Sequence, residues 1–400
     1  MQRTFTSIVL IVSLLACSAT QLTAQQPHYS QFFANLVALN PAYAGFDAGV
    51  TLSGNYRSQW FGIRENGESL VNGGYQTFNL TADLQLPCIL QSDLLNFGLA
   101  ITGFQDNAGG APLRTSGMNV ALSYEQQGFE ALFGNLFERL DVRLGVQYGF
   151  MTKQLNSDEL IYSYQLDPID GLIGPPESLR LNSDLYSDLS VGILIRGAFP
   201  KNHRYKKNVF TLGFTLSNLR QPNVSLFATA TNVELPMRMT SYLGFSFRIN
   251  PFEGNRKAWY IAPQWRWDRQ RDGTLNTQTL GAYILSKAFY GGLFLQYNFP
   301  SGPVNNSQLR DPVFARNSTV LSGNVGWDLA SIASKGGKID ASINQLILGL
   351  SYDINLGGLP NGSTLGVIEI YVRLNFAGKK STCGRLGRFE LYDGDCPVRF

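Results

Sequence analysis

Apolar and polar side chains alternate most clearly near the end of the chain. From residue 368 every second side chain is apolar, in the series Ile368, Ile370, Val372, Leu374 and Phe376. The positions between them hold Glu369, Tyr371, Arg373 and Asn375. A period of two is that of a β-strand whose faces meet different surroundings. About ten residues at ~3.3 Å each, tilted by about 45°, rise about 23 Å, close to the ~25 Å apolar band of an outer-membrane barrel. The segment 366–376 therefore predicts a strand with one face toward lipid and one toward a polar lumen.

Thirteen further runs alternate in the same way. The fourteen runs lie near 48–57, 74–84, 95–105, 116–124, 141–151, 188–199, 209–218, 237–249, 258–267, 275–286, 289–298, 319–328, 345–356 and 366–376. An even number of strands is typical of bacterial outer-membrane barrels. The predicted fold class is all-β: a single antiparallel transmembrane β-barrel of about 14 strands, of the outer-membrane type, over residues 48–376.

Two of these runs predict which side chains face outward. In one, the predicted outward face is Val142, Leu144, Val146, Tyr148 and Phe150, and the inward face is Arg143, Gly145, Gln147 and Gly149. In the other, the outward face is Trp259, Ile261, Pro263, Trp265 and Trp267. Because proline has no N–H to donate to the ladder, we expect a β-bulge at Pro263.

Alternating the strands up and down assigns each connection to one side of the membrane. The predicted extracellular connections are 58–73, 106–115, 152–187, 219–236, 268–274, 299–318 and 357–365. The predicted periplasmic ones are 85–94, 125–140, 200–208, 250–257, 287–288 and 329–344, with both termini also periplasmic. The loop 152–187 is acidic and supplies candidate cargo-binding residues: Asp158, Glu159, Asp167, Asp170 and Glu177.

The first 24 residues have the pattern of a secretory signal peptide. A basic residue, Arg3, precedes a short apolar core, and Ala24 offers a small residue at the cleavage site. Acylation of Cys17 is the alternative. The predicted division is then 1–24 signal peptide, 25–47 an N-terminal periplasmic or luminal segment, 48–376 barrel, and 377–400 a periplasmic tail. Cys383 and Cys396 in that tail predict a disulfide, because an exported protein meets oxidising conditions.

Composition argues against an enzyme and against nucleic-acid binding. The 400 residues carry a net charge of only +3 and two histidines, His28 and His203, so we expect no catalytic site, metal or cofactor. The glycines of 357–362 lack the helix and lysine of a phosphate-binding loop and predict a hairpin loop. Basic residues at the predicted periplasmic side predict either contact with anionic lipid or a docking face for periplasmic secretion components; they are Lys201, Arg204, Lys206, Lys207, Lys379, Lys380, Arg385 and Arg388.

Several motifs in order resemble one family. These are Tyr29-Ser-Gln31, the run Asn40, Pro41, Ala42, Tyr43, Ala44, Gly45, the strand end with Arg57, Gln59 and Trp60, the turn with Gln221, Pro222 and Asn223, the strand with Tyr352 and Asp353, and the closing strand 366–376. Together they resemble the PorP/SprF family of the type IX secretion system, over about residues 28–376. The motif residues admit two interpretations: structural packing, with Trp60 at the outer rim, or a segment that enters the lumen and contacts a secreted partner.

The resemblance implies a function. Members of this family are non-enzymatic outer-membrane proteins that assist export of large adhesins or gliding proteins and hold the cargo's C-terminal domain at the cell surface. They also associate with periplasmic ring and motor-linked components of the apparatus. The alternative that the inward polar residues leave open is an outer-membrane diffusion porin, since about fourteen strands enclose a pore unless loops or side chains fill it.

Overall fold

The computed structural model describes most of a closed barrel. The described residues are 29–31, 34–47, 49–60, 64–65, 68–69, 74–86, 96–108, 113–133, 136–156, 166–167, 171–172, 180–199, 208–226, 233–249, 259–273, 275–286, 288–299, 319–333, 343–356 and 365–376. The barrel strands are β1 Val50–Gln59, β2 Tyr75–Gln85, β3 Phe97–Ala108, β4 Leu113–Gln126, β5 Arg139–Asn156, β6 Tyr186–Phe199, β7 Asn208–Ser217, β8 Arg238–Arg248, β9 Tyr260–Gln270, β10 Asn276–Leu285, β11 Phe289–Asn298, β12 Thr319–Asp328, β13 Ile343–Asn355 and β14 Val367–Phe376. Each strand pairs antiparallel with the next, and β14 pairs with β1. The predicted fourteen-stranded antiparallel barrel is confirmed.

Shorter elements accompany the barrel strands. Two pairs of two-residue strands join Arg64–Glu65 to Glu68–Ser69 and Leu166–Asp167 to Gly171–Leu172. The helices are α1 Leu36–Leu39 and α2 Leu329–Ala333, with 3₁₀ turns at Pro41–Tyr43 and Phe129–Phe133. Among the described residues, no helix combines the length and the apolar character needed to cross a membrane.

The barrel is apolar outside and polar inside. On β14, Ile370 and Val372 are 47% and 36% exposed, whereas Glu369 and Arg373 between them are 0% and 5% exposed. The same alternation holds on β5, where Leu144 is exposed and Arg143 is buried. An apolar exterior of this kind is stable only in hydrocarbon, because water would meet a continuous apolar surface. The predicted outward faces of β5 and β9 are confirmed.

Each predicted run overlaps one observed strand, and the largest difference is at β5. That strand continues to Asn156, and residues Arg180–Asn182 pair with its end. The predicted loop 152–187 is therefore wrong at both ends. Beyond the apolar band of the membrane, residues on the outer face of a strand need not be apolar. The strand therefore continues after its alternation of apolar and polar residues has ended.

The expected bulge at Pro263 is also wrong. Pro263 pairs with Ala282 of β10 in an unbroken register. On the other side of β9, the pairs Phe247–Ile261 and Gly244–Gln264 follow the same register with β8. Pairing is interrupted only between these two pairs. The proline therefore removes ladder contacts on one side and inserts no extra residue. A register shift occurs instead on β13, between Ile343 and Gln345.

The two rims of the barrel differ in the connections that they carry. We call the rim with Val50 and Phe376 the near rim, and the rim with Gln59 and Val367 the far rim. The three longest connections between barrel strands, 157–185, 218–237 and 299–318, all join strands at the far rim.

Candidate functional site

The lumen contains part of the chain itself. Residues 29–31 and 34–47, which we call the luminal segment, contact inward-facing side chains on strands around the barrel wall. Most of these residues are buried: Gln31, Asn40, Ala42 and Ala44 are 0% exposed, and Tyr43 is 2% exposed. The site is therefore an occupied lumen, and the amino-terminal motifs lie in its centre.

The first motif, Tyr29-Ser-Gln31, is bound by the last strands of the barrel. The Glu369 carboxylate accepts the Ser30 backbone N–H at 2.9 Å and the Gln31 backbone N–H at 3.2 Å. The Ser30 hydroxyl donates to the Asp353 carboxylate. Asn55 of β1 donates its side-chain N–H to Glu369 at 2.8 Å. We call Ser30, Gln31, Asn55, Asp353 and Glu369 the amino-terminal latch.

The amino-terminal latch provides hydrogen-bond donors to the Glu369 carboxylate, which is fully buried. Glu369 is 0% exposed, and a buried carboxylate is costly unless charged or hydrogen-bonding groups surround it. Its partners are two consecutive backbone N–H groups, the Asn55 amide and, at 4.0 Å, the Arg57 guanidinium. Binding the luminal segment therefore supplies two of the hydrogen bonds that this glutamate needs.

The second motif begins with Asn40, which caps a 3₁₀ turn and fixes it to the wall. Its side-chain oxygen accepts the Ala42 N–H at 2.9 Å, and Pro41 occupies the first position of the turn. Asparagine at an N-cap and proline after it are both favoured by their backbone preferences. The Asn40 side-chain N–H donates to the Ile193 carbonyl of β6 at 2.9 Å. One side chain thus begins the 3₁₀ turn of the segment and ties it to the barrel.

Small residues allow the motif to lie against the wall backbone. A Cβ at Gly145 of β5 would meet the backbone of Pro41 and Ala42, and one at Gly98 of β3 would meet the Ala44 carbonyl. Gly45 has φ +62°, which side-chain-bearing residues rarely adopt. Its N–H donates to the Asp83 carboxylate of β2. The glycine at the end of the motif is required both for its backbone angle and for this close approach.

Charged residues hold the end of the segment near the near rim. The Ala44 carbonyl accepts from the Arg143 guanidinium at 2.8 Å and from the Ser123 hydroxyl at 2.5 Å. The Phe46 ring lies between two guanidinium groups, 5.4 Å from Arg143 and 4.9 Å from Arg196. Asp47 forms an ion pair with Arg373 of β14.

Aromatic rings close the space around Tyr43. Its ring lies edge-on to Phe46 at 5.2 Å and stacks on Tyr242 of β8 at 6.0 Å. The buried cluster to which it belongs contains Ala34, Leu39, Ala42, Tyr43, Phe46, Leu194, Tyr242, Tyr260, Ala262, Tyr283, Leu285, Tyr290, Phe294, Ile347 and Tyr371. This apolar layer joins the segment to the wall strands β6, β8–β11, β13 and β14.

The turn with Gln221, Pro222 and Asn223 folds back over the far rim. Its Asn223 side-chain oxygen accepts the N–H groups of Ser225 at 3.1 Å and Val233 at 3.0 Å. Val224 and Leu235, each 4% exposed, pack with inward-facing residues of three strands: Phe104, Met151 and Tyr186. This motif therefore packs into the lumen from the end opposite to the Asn40–Gly45 motif.

The remaining motif residues lie around the far rim. Trp60 has a backbone φ of 59°, and its backbone N–H donates to the Gly366 carbonyl at 2.8 Å. Its ring packs edge-on against Tyr75. Arg57 donates to Gln59 at 2.8 Å. Tyr352 is on the outer face, whereas the adjacent Asp353 faces inward to Ser30.

Other predicted site residues lie outside the described part of the chain. These are the cargo candidates Asp158, Glu159, Asp170 and Glu177, the basic residues Lys201, Arg204, Lys206, Lys207, Lys379, Lys380, Arg385 and Arg388, the cysteines Cys17, Cys383 and Cys396, and both histidines. Asp167 ends the short strand Leu166–Asp167. Within the described residues, no group of three or more histidine, cysteine or acidic side chains is placed to hold a metal ion.

The sequence does not identify the wall residues that receive the segment. Asp83, Ser123, Arg143 and Arg196 belong to no motif, and Glu369 lies in the closing-strand motif without a predicted partner. The available signal was charge on the inward face of an alternating strand, which marks a polar lumen but not a partner within it.

Several solved outer-membrane structures are similar to the chain at low identity. A FadL homologue from Pseudomonas aeruginosa is 14% identical, with 84% of this chain and 93% of that chain covered and a TM-score of 0.33. An outer-membrane channel from Pseudomonas putida F1 is 12% identical, with 83% and 96% covered and a TM-score of 0.36. The β domain of the Bordetella autotransporter BrkA is 11% identical, with 82% and 100% covered and a TM-score of 0.32. No curated protein matches the chain.

The family comparison confirms the resemblance that the motifs indicate. The model of the type IX secretion system membrane protein PorP/SprF matches residues 21–374, which include every motif named above except the last two residues of the closing strand. The chain therefore belongs to the PorP/SprF family of type IX secretion system membrane proteins and has an outer-membrane β-barrel fold.

Proposed function

We propose that this protein is a non-enzymatic part of the type IX secretion system that assists export of large adhesin-type or gliding-type cargo and holds it at the cell surface. The family match over residues 21–374 is the observation that carries the proposal. The barrel acts as a rigid scaffold in the outer membrane, and its two rims meet different partners.

The occupied lumen supports a scaffold rather than a diffusion porin. The luminal segment crosses the barrel interior and packs in a layer of aromatic side chains, while the turn at 221–223 packs inward from the far rim. Ions crossing such a layer lose their hydration without replacement by polar groups, which is costly. A folded, membrane-inserted preparation should therefore show no steady conductance in planar bilayers, and open-pore conductance would favour the porin.

The far rim is the proposed cargo face. It carries the three longest connections between barrel strands, and the one at 157–185 holds Asp158, Glu159, Asp167, Asp170 and Glu177. Long loops are extracellular in outer-membrane barrels. The near rim, with the basic connection at 200–207 and the tail after residue 376, is the proposed side for periplasmic ring and motor-linked components.

Affinity purification of the tagged protein from native outer membranes tests the proposal. We expect a large secreted protein to co-purify through its C-terminal domain, together with periplasmic secretion components. Replacing the five acidic residues by Asn or Gln should reduce cargo recovery, with the barrel intact. Replacing the basic residues of 201–207 by Gln is the matched variant for the other rim and should reduce recovery of the periplasmic components. Substitution is preferred to deletion of residues 158–180, because that deletion would remove part of the short strand Arg180–Asn182 that pairs with β5. A preparation that yields neither class of partner contradicts the proposal.

A further inference from the structure

The luminal segment has a direction inside the barrel. Its end, near residues 45–47, lies toward the near rim: Gly45 donates to Asp83, two residues before β2 ends there, and Asp47 pairs with Arg373, three residues before β14 ends. The segment then continues through Gly49 into β1, whose first residue, Val50, is at the near rim.

The beginning of the segment lies near the opposite rim. Ser30 binds Glu369 and Asp353, which are each two residues from the far-rim ends of β14 and β13. Asp106, two residues from the far-rim end of β3, is among the charged groups close enough to Tyr29 to act on it electrostatically. Between residues 30 and 45 the segment thus passes along most of the lumen, from the far rim to the near rim.

We propose that the amino-terminal end of the luminal segment opens onto the cell-surface mouth of the barrel, opposite to the rim where β14 ends. The direction follows from the contacts at both ends of the segment. The assignment of the far rim to the cell surface follows from its long connections. Tyr29 and Ser30 then lie at the outward mouth of the barrel, on the side of the proposed cargo face. This differs from the expectation that both termini are periplasmic, which remains the proposal for the C-terminal tail.

Epitope display on cells tests this polarity in the full-length protein. A short epitope with glycine-serine spacers is inserted between residues 28 and 29, and antibody binding is measured on intact and on permeabilised cells. The same epitope in the 299–318 connection is the outward reference, and one placed after residue 376 is the inward reference. We expect the insertion before Tyr29 to be labelled on intact cells as strongly as the outward reference. Labelling only after permeabilisation, or in neither state, overturns the proposal.

A smaller probe covers the case in which the insertion prevents folding. Tyr29→Cys is combined with Cys88→Ser, Cys383→Ser and Cys396→Ser, and a membrane-impermeant maleimide is added to intact cells. Labelling from outside is expected, and labelling only from the periplasmic side overturns the proposal. The inference deepens the proposed cargo face, so cargo recovery is scored separately on the same cells. Outside labelling without cargo binding refutes the function but not the polarity.

Discussion

The Glu369 carboxylate accepts the backbone N–H of Ser30 at 2.9 Å across a sequence separation of 339 residues. One residue belongs to the segment that fills the lumen and the other to the strand that closes the barrel on β1. Since Glu369 also accepts from Asn55 of β1, the interaction joins the segment to both strands of the closing pair. Two family motifs distant in sequence therefore form one structural unit.

Removing the charge of Glu369 should loosen this unit. Glu369→Gln keeps the shape of the side chain but replaces one acceptor oxygen by a donor amide that faces other donors. Hydrogen bonds to charged groups contribute about 1.5–3 kcal/mol each, so we expect a loss of about 2–4 kcal/mol in the free energy of unfolding. Urea unfolding in detergent micelles, followed by tryptophan fluorescence, measures it. Ile368→Val on the outer face of the same strand is the control and should change stability by about 0.5 kcal/mol. Equal effects of the two substitutions would contradict the latch.

Ser30 and Asp353 should be energetically coupled. A double-mutant cycle with Ser30→Ala and Asp353→Ala should give a coupling energy of about 1–2 kcal/mol, because each substitution removes the same hydrogen bond. A second cycle pairs Ser30→Ala with Ser58→Ala on the outer side of β1 and should be additive within about 0.5 kcal/mol. Additivity in the first cycle would show that the hydroxyl and the carboxylate do not interact.

Gly98→Ala should displace the luminal segment from β3. The added methyl group would meet the Ala44 carbonyl and the Gly45 backbone, and overpacking of this kind costs about 1–3 kcal/mol. We expect lower stability and, because the segment closes the lumen, the appearance of ion conductance in planar bilayers. Gly103→Ala on the same strand has no atom within 4 Å of the new methyl group and is the matched control. A Gly98→Ala protein that stays as stable and as closed as this control would show that the segment does not close the lumen.

Phe46 should stabilise the two arginines that flank it. Phe46→Leu keeps the apolar volume but removes the ring that faces Arg143 and Arg196, and cation–π contacts contribute about 1–2 kcal/mol each when desolvated. We expect a loss of about 2 kcal/mol in unfolding free energy and recovery of most of it in Phe46→Trp. If leucine is tolerated as well as tryptophan, the ring acts only as apolar volume.

The strands follow from the sequence because lipid imposes a local rule. A residue on the outer face meets hydrocarbon whatever its distant neighbours are, so Ile370 and Val372 reveal their orientation through alternation alone. The same rule fails at Thr152 and Gln154, polar residues on the outer face of β5 near its far-rim end. The path of the luminal segment depends on contacts such as Asn40 with Ile193 and Ser30 with Glu369, which no local pattern encodes. Motif resemblance marked Asn40–Gly45 and Asp353 as important but did not reveal their partners.

Contact between Ser30 and Glu369 also constrains the order of biosynthesis. Glu369 is among the last barrel residues to be translated, so Ser30 and Gln31 lack their Glu369 partner while the preceding strands are made. Closure of the barrel and binding of the luminal segment then become one cooperative event. A chain truncated before residue 367 would lack this partner and the closing strand together, leaving quality-control proteases an exposed amino-terminal end to recognise.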